Sequence, residues 1–224
     1  MSEIREHHLH VQRSARYYSI CSMTDAVDDL WYVCHGYSEL AGRFIQPFQS
    51  IERPGRLIVA PEALMRYYTD HAARAVGATW MTSEDRLTDI QDYVKYLDTL
   101  HQHVLGILPN QPSRVRVLGF SQGTATVCRW AAQGSITEGD LILWGGSLPP
   151  DIDIKTDVPR IRRWDLTIVF GQRDEFIEEG AVDREHERLE ALGVSRHVLT
   201  FDGGHRLDDA TLHTLAADHR SPHT

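Results

Sequence analysis

A serine lies between two glycines at the point where an apolar segment gives way to a helix pattern. Residues 119–123 read Gly-Phe-Ser-Gln-Gly, with Ser121 at the centre. A strand pattern over residues 115–118 precedes them, and a helix pattern starts at Thr124 without a spacer. This arrangement is typical of a nucleophile elbow, a strained turn that exposes the serine Oγ at the carboxyl edge of a sheet. The flanking glycines allow the close backbone approach that the turn requires. We therefore interpret Ser121 as a nucleophile.

An acid and a histidine follow in the order expected after such an elbow. An apolar run over residues 166–170 leads to Asp174, and a last run over residues 196–201 leads to His205. A serine hydroxyl needs a base to take its proton as it attacks a carbonyl. His205 would be that base and would later protonate the leaving group, while Asp174 would hold the required tautomer of the imidazole. The three residues predict hydrolysis through an acyl-enzyme.

The oxyanion formed in this attack needs preorganised hydrogen-bond donors. The backbone N–H of Gln122, directly after the serine, is the first expected donor. A predicted strand over residues 30–34 ends in His35-Gly36-Tyr37, the usual position of the second donor. We predict the backbone N–H of Tyr37 for that role, and we interpret His35 as a residue that stiffens the loop.

These motifs together resemble the α/β-hydrolases of the phospholipase/carboxylesterase group, which includes acyl-protein thioesterase-like enzymes. The resemblance runs from Tyr17 to Leu215. It rests on His35-Gly36, the elbow at residues 119–123, Gly171-x-x-Asp174 and Gly204-His205. It implies an α/β-hydrolase fold and the hydrolysis of carboxylic esters or thioesters.

The sequence departs from the family's pattern at two places. Thr124 stands where the family usually has a further glycine after the elbow. Glu175, Phe176 and Ile177 stand where the acid is usually followed by a Val-Pro-like pair. The Ser-His-Asp set survives both changes, but the floor of the acyl pocket differs, so the family's substrates do not carry over.

Two site residues have alternative interpretations. Ser121 could be only the N-cap of a helix. Asp202, close before His205, could replace Asp174 as the acid. We prefer Asp174 because the acid is expected after the preceding strand.

Five residues are predicted to contact the substrate: Trp80, Met81, Trp144, Phe176 and Ile177. The first two lie on a long connection over residues 61–82 and would either line an acyl pocket or fill the core beneath a loop. Trp144 ends a predicted strand at the active-site edge. An open, partly aromatic cleft favours acetyl to hexanoyl esters, because each methylene of a longer chain left in water forgoes about 0.8 kcal/mol.

The remaining chain alternates short strand patterns with helix patterns. Residues 8–11 and 17–21 predict an N-terminal antiparallel hairpin. Apolar residues three or four apart predict a long helix that begins at Thr82 with a capping box to Asp85. Other strands are predicted over residues 30–34, 57–60, 115–118, 141–144, 166–170 and 196–201, and other helices near 40–48, after 124, near 181–192 and after 206.

This alternation predicts an α/β-hydrolase fold with a mostly parallel central sheet and helices on both faces. A helix pattern returns soon after Asp174, which leaves no room for a large cap domain. Hydrophobic content of 42% and charged content of 25% agree with a single domain over residues 1–224.

Composition also limits the partners. A net charge of −9 argues against nucleic acid and anionic lipid. Cys21, Cys34 and Cys128 are interpreted as buried apolar residues rather than as a disulfide framework. No apolar run approaches the ~20 residues of a membrane span, and the polar N-terminus lacks a signal core, which predicts a cytoplasmic protein.

The sequence therefore predicts a serine carboxylic-ester hydrolase acting on a small-molecule ester or thioester, as a monomer or a homodimer. Acyl thioesterase or lysophospholipase-type hydrolysis is the alternative, and a non-hydrolytic receptor or a lyase on the same fold is less favoured. His7, His8 and His10 are interpreted as surface residues, because no paired acids or cysteines lie at ligand spacing, and neither a metal nor another cofactor is predicted.

Overall fold

The computed structural model describes residues 3–21, 25–178 and 180–217. The strands are β1 (Tyr17–Ile20), β2 (Asp29–Cys34), β3 (Arg56–Pro61), β4 (Met65–Asp70), β5 (Ala75–Thr79), β6 (Arg114–Phe120), β7 (Gly139–Trp144), β8 (Trp164–Gly171) and β9 (Arg196–Phe201). The helices are α1 (Ala41–Phe44), α2 (Arg86–Ile107), α3 (Gln122–Gln133), α4 (Val158–Ile161), α5 (Ala181–Ala191) and α6 (Asp209–Ala217), with a 3-10 helix over Gln46–Ile51.

Seven strands form the central sheet in the order β1-β3-β2-β6-β7-β8-β9. Only β1 is antiparallel to its neighbour, so the predicted mostly parallel sheet is confirmed. Cys34 pairs with Gly119, and Phe120 pairs with Trp144. The carboxyl ends of β2, β6 and β7 therefore meet at one edge, which brings together the segments that follow them.

Helices cover both faces of this sheet, as the sequence predicts. Every residue of β2 is buried, as expected for a central strand with no solvent-facing side. Its alternate residues enter two core clusters on opposite faces. Tyr93 of α2 and Val127 of α3 belong to one cluster, while Phe44 of α1 and Leu212 of α6 belong to the other.

The predicted N-terminal hairpin is wrong. Residues 8–11 form no strand and are exposed, whereas β1 pairs antiparallel with β3, from Tyr17 opposite Pro61 to Ile20 opposite Ile58. Without β1, strand β3 would be the edge of the sheet and its outer N–H and C=O groups would be unpaired. Strand β1 bonds to these groups, so it does not need a hairpin partner.

The sequence suggested a long loop over residues 61–82, but this connection contains regular structure. It contains the antiparallel pair β4 and β5, which forms a separate two-stranded sheet. The predicted start of the next helix is also wrong. Asp85 has a left-handed backbone (φ 48°) and α2 begins at Arg86, while Asp89 rather than Asp85 accepts the Thr82 N–H at 3.2 Å.

No large cap covers the carboxyl edge within the described residues, since α5 starts at Ala181, shortly after β8 ends at Gly171. In that same part of the chain, no helix combines the length and the apolar character needed to cross a bilayer.

Candidate active site

Ser121 occupies a strained turn between β6 and α3. Its backbone has φ 53° and ψ −117°, a region that residues with a side chain rarely adopt. A Cβ on Gly119 would collide with the carbonyl oxygen of Gly123, and a Cβ on Gly123 would collide with that of Cys34. The Ser121 N–H donates to the Trp144 carbonyl at 2.8 Å. The close approach of the backbone therefore leaves no room for a side chain at either position, as expected of a nucleophile elbow.

Asp174 and His205 are joined at the same edge. His205 Nδ1 lies 2.8 Å from Asp174 Oδ2, and the two side chains are 13% and 1% exposed. The other carboxylate oxygen of Asp174 accepts the Phe176 N–H at 3.0 Å. An Nδ1–H bond to the carboxylate leaves Nε2 of the imidazole available as a proton acceptor.

Aromatic rings and a glycine surround the imidazole. The rings of Phe120 and Phe176 lie 4.8 Å and 4.7 Å from the His205 ring. Gly145 has φ +65°, and a Cβ there would stand 2.9 Å from His205 Cε1. Phe120 directly precedes Ser121, so His205 sits over the elbow. The Ser121 hydroxyl forms no hydrogen bond to any described residue, and such bonds commonly tighten only when substrate binds.

Asp202, the alternative acid, lies at the surface. Its side chain is 75% exposed and pairs with Arg173. Within the described residues, His205 Nδ1 bonds to Asp174 and Asp202 pairs with Arg173 instead, which favours Asp174 as the partner of the imidazole.

The loop after β2 supplies backbone donors beside Ser121. The Gly36 N–H donates to Glu39 Oε2 at 2.7 Å. The Tyr37 N–H has no hydrogen-bond partner among the described residues. Gln122 is the first residue of α3, and an N–H in the first turn of a helix has no acceptor within that helix. A Cβ on Gly36 would come within 3.2 Å of Ser121 Cβ, which places this loop against the elbow.

His35 stiffens this loop in the way that the sequence suggests. Its buried ring donates from Nδ1 to the Gly36 carbonyl at 2.8 Å and accepts the Ala63 N–H on Nε2 at 3.1 Å. Burial lowers the pKa of His35, and both hydrogen bonds fit the neutral ring. His35 is therefore a fixed support rather than a base.

The sequence did not predict the hydrogen bonds of the Gln122 side chain. Its Oε1 accepts the Trp80 N–H at 3.1 Å, and its Nε2 donates to the Met81 carbonyl at 3.0 Å. Trp80 in turn donates from Nε1 to the His35 carbonyl at 2.8 Å. The end of β5 thus ties the elbow to the loop after β2. The long unassigned connection gave no pattern from which to infer this.

Two predicted substrate residues lie in the core instead. Trp80 is buried among residues of α2, and Trp144 is 1% exposed and packs on Phe201. The prediction that Trp144 lines a pocket is therefore corrected, and the core interpretation holds for Trp80. Burying a large apolar ring in the core removes more of its surface from water than an open cleft does, and therefore stabilises the fold more. Met81 is half-buried, with Sδ 3.4 Å from Arg129 Nη1.

Phe176 and Ile177 do reach a cavity. Both line a groove of about 280 Å³ that also includes Gly145. A second cavity of about 500 Å³ includes His205 and Phe120. The substrate role of Phe176 and Ile177 stays a prediction.

Of the N-terminal histidines, His8 lies beside two acids at the surface. Its Nε2 is 2.7 Å from Glu6 Oε1, and Asp85 Oδ2 lies 3.9 Å from Nδ1. All three are exposed. The hydrogen bond to Glu6 raises the pKa of His8, which favours an ion pair between these two side chains.

The sequence model of the dienelactone hydrolase family matches residues 44–207. The chain belongs to this family. It is therefore a hydrolase, and the matched range contains Ser121, Asp174 and His205 but begins after Tyr37. No curated protein matches the sequence.

Solved α/β-hydrolases share the fold. The acyl-protein thioesterase 2 of Zea mays is 16% identical with a TM-score of 0.66, covering 91% of this chain and 96% of that one. Esterase PE8 is 17% identical with a TM-score of 0.65, covering 92% and 97%. The carboxylesterase of Bacillus cereus is 10% identical with a TM-score of 0.63, covering 90% and 92%. The α/β-hydrolase fold predicted from the sequence is confirmed.

Proposed function

We propose that this hydrolase cleaves carboxylic esters with Ser121 as nucleophile, His205 as general base and acid, and Asp174 as the orienting carboxylate. The observation that carries the proposal is the 2.8 Å hydrogen bond from His205 to the buried Asp174, at the sheet edge where Ser121 occupies its strained turn. A hydrogen-bonded imidazole near a serine hydroxyl is the arrangement that nucleophilic acyl transfer needs.

Each residue has a defined role in this reaction. Asp174 accepts from Nδ1, so Nε2 of His205 takes the Ser121 proton as Oγ bonds to the carbonyl carbon. The N–H groups of Tyr37 and Gln122 receive the oxyanion. Collapse of the intermediate breaks the bond to the leaving group, which takes the proton from His205. Water then attacks the acyl-enzyme with the same proton transfers and releases the acid.

The groove supports a preference for small acyl groups. Its volume of about 280 Å³ lies near the lower end of small-molecule sites. Acetyl to hexanoyl esters would fit better than dodecanoyl esters. The same residues would also attack a thioester, so a panel of p-nitrophenyl esters and acyl thioesters distinguishes the two classes. Cytoplasmic location, a single domain and the choice between monomer and homodimer stay predictions.

A fluorophosphonate probe tests the nucleophile. It should label the wild type at Ser121, and Ser121→Ala should lose both labelling and turnover while keeping its melting temperature. Ser113→Ala is the matched control, because Ser113 lies at the opposite end of β6, where its hydroxyl donates to the Asp28 carbonyl. Undiminished labelling of Ser121→Ala would remove the basis of the proposal.

A further inference from the structure

Strand β9 is the last strand of the central sheet and has β8 as its neighbour on one side. Its residues pair with β8 from Arg196 to Phe201 without a register shift. The strand contains neither proline nor lysine, the residues that commonly protect a sheet edge from pairing. The strand at the opposite edge, β1, has only four residues, against six in β9. The regular edge of β9 is therefore the one that offers a ladder to a further strand.

The backbone bonds to β8 show which residues of β9 face outward. The Phe201 carbonyl accepts the Gln172 N–H at 2.9 Å, and the Gly203 carbonyl accepts the Arg173 N–H at 2.9 Å. Backbone groups of successive residues alternate between the two sides of a strand, so the odd-numbered residues face β8. The even-numbered residues direct their N–H and C=O groups away from the sheet, where no described residue bonds to them. These residues are Arg196, Val198, Thr200 and Asp202.

Two copies of this edge match each other when they run antiparallel. A two-fold axis through Leu199 places Val198 of one copy opposite Thr200 of the other. The same axis places Arg196 of one copy opposite Asp202 of the other. All four residues face outward, so each opposed pair can exchange the N–H···O bonds of an antiparallel ladder. Leu199, whose backbone groups face β8, would lie opposite its own copy in a pair without hydrogen bonds.

Charge favours this register over its neighbours. Asp202 is 75% exposed and pairs through Oδ1 with Arg173 of its own chain, and a carboxylate can accept from a second cation at its other oxygen. Arg196 has a buried Nε without a hydrogen-bond partner, and buried donors rarely stay unpaired. The axis through Leu199 brings these opposite charges together on both sides of the axis. A shift of the register toward either end separates them and loses both ion pairs.

We propose that β9 is a homodimerisation strand, through which two copies of the chain pair antiparallel over residues 196–202 and join their central sheets into one. The carboxyl edges of the two sheets then point in opposite directions, so the two candidate active sites open on opposite sides of the dimer. Asp202 lies three residues before His205, so the interface also holds the start of the loop that carries this histidine. The proposal does not depend on ester hydrolysis.

Sedimentation velocity over roughly 1–100 µM protein tests the pairing. The wild type should sediment with twice the mass of one chain. Thr200→Pro removes an outward N–H and keeps the bonds to β8, because proline is tolerated on an edge strand where its nitrogen faces outward. The dimer dissociation constant should therefore rise at least about tenfold. Thr200→Ala is the matched control, because it keeps the backbone donor and should stay within about threefold of the wild type.

Charge reversal tests the register. Arg196→Glu and Asp202→Arg should each weaken the dimer at least about tenfold, because each places like charges opposite one another on both sides of the axis. The double variant should recover most of the wild-type affinity, since it restores opposite charges in exchanged positions.

A disulfide tests the position of the axis. Leu199→Cys should give a covalent dimer on mild oxidation, because the Cα atoms of a non-hydrogen-bonded pair lie about 4.5 Å apart, within disulfide range. Thr200→Cys is the matched control and should not, because the two copies of residue 200 are offset along the ladder. The wild type under the same oxidant gives the background from its own cysteines.

A wild type that is monomeric at every concentration overturns the proposal. A dimer that is unaffected by Thr200→Pro and by both charge reversals lies on another surface and overturns it equally. Circular dichroism verifies the fold of each variant. If Thr200→Pro does not fold, the charge reversals and the disulfide decide the question on their own.

Discussion

Asp174→Asn is the most informative substitution, because the structure fixes which way the new amide must face. Asp174 Oδ1 accepts the Phe176 N–H at 3.0 Å, and Oδ2 accepts from His205 Nδ1 at 2.8 Å. The amide oxygen of an asparagine will take the first position, since only an acceptor satisfies that N–H. Its NH2 group then faces His205 and makes Nδ1 an acceptor.

The consequence is the wrong tautomer. With Nδ1 accepting, the neutral ring carries its proton on Nε2 and cannot take one from Ser121. The equivalent change in other triads costs on the order of 10⁴ in kcat. That factor corresponds to roughly 5 kcal/mol of barrier. The fold should persist, because the asparagine has the same shape and keeps both hydrogen bonds.

Steady-state kinetics on p-nitrophenyl acetate measures this effect, with circular dichroism to verify folding. Asp202→Asn is the matched control and should cost about tenfold or less, because Asp202 is exposed and forms a surface ion pair with Arg173. A large loss for Asp202→Asn with a small one for Asp174→Asn would refute the assignment of the acid.

Three further outcomes are expected. Gly145→Ala puts a methyl group 2.9 Å from His205 Cε1 at φ +65°, so kcat should fall at least about tenfold and urea unfolding should show a loss of about 1 kcal/mol. Gly106→Ala, in open space on α2, should instead raise stability by up to about 1 kcal/mol. Gln122→Ala keeps its backbone donor but frees the end of β5, so kcat should fall roughly tenfold with KM little changed; a rise in KM alone would contradict this. Burial lowers the pKa of His35 below its ordinary value of 6.5, so the unfolded chain binds the proton more readily than the folded chain. The stability due to the neutral ring is therefore present above pH 6.5 and is lost as the pH falls from 6.5 toward the lower pKa of the folded state. The melting-temperature advantage of the wild type over His35→Gln should therefore shrink on acidification, and a constant difference would exclude this linkage.

The sequence was sufficient to predict the elements around the elbow, because their signals are local. Gly119 and Gly123 occupy positions where a Cβ would collide with the backbone. The apolar runs of β6, β8 and β9 are bounded by turn residues. The order of Ser121, Asp174 and His205 then follows from strand ends that meet at one edge.

Tertiary contacts decided what local patterns could not. Trp80 and Trp144 are aromatic residues near the edge, and no sequence pattern distinguishes a ring in the core from a ring in a cleft. The pair β4 and β5 is held by Glu39 of a distant segment, through the bridge to Ala78.

The attachment of the two-stranded sheet at only one end has a consequence for its amide exchange. The Ala78 N–H donates to the Glu39 carbonyl at 3.1 Å, and the Trp80 N–H donates to Gln122 Oε1 at 3.1 Å. Residues 70–75 at the turn are exposed and make no comparable bonds to the central sheet within the described chain. Exchange should therefore be slow at Ala78 and Trp80 and fast at the turn. Those two amides would report directly on whether the loop after β2 and the elbow are still joined.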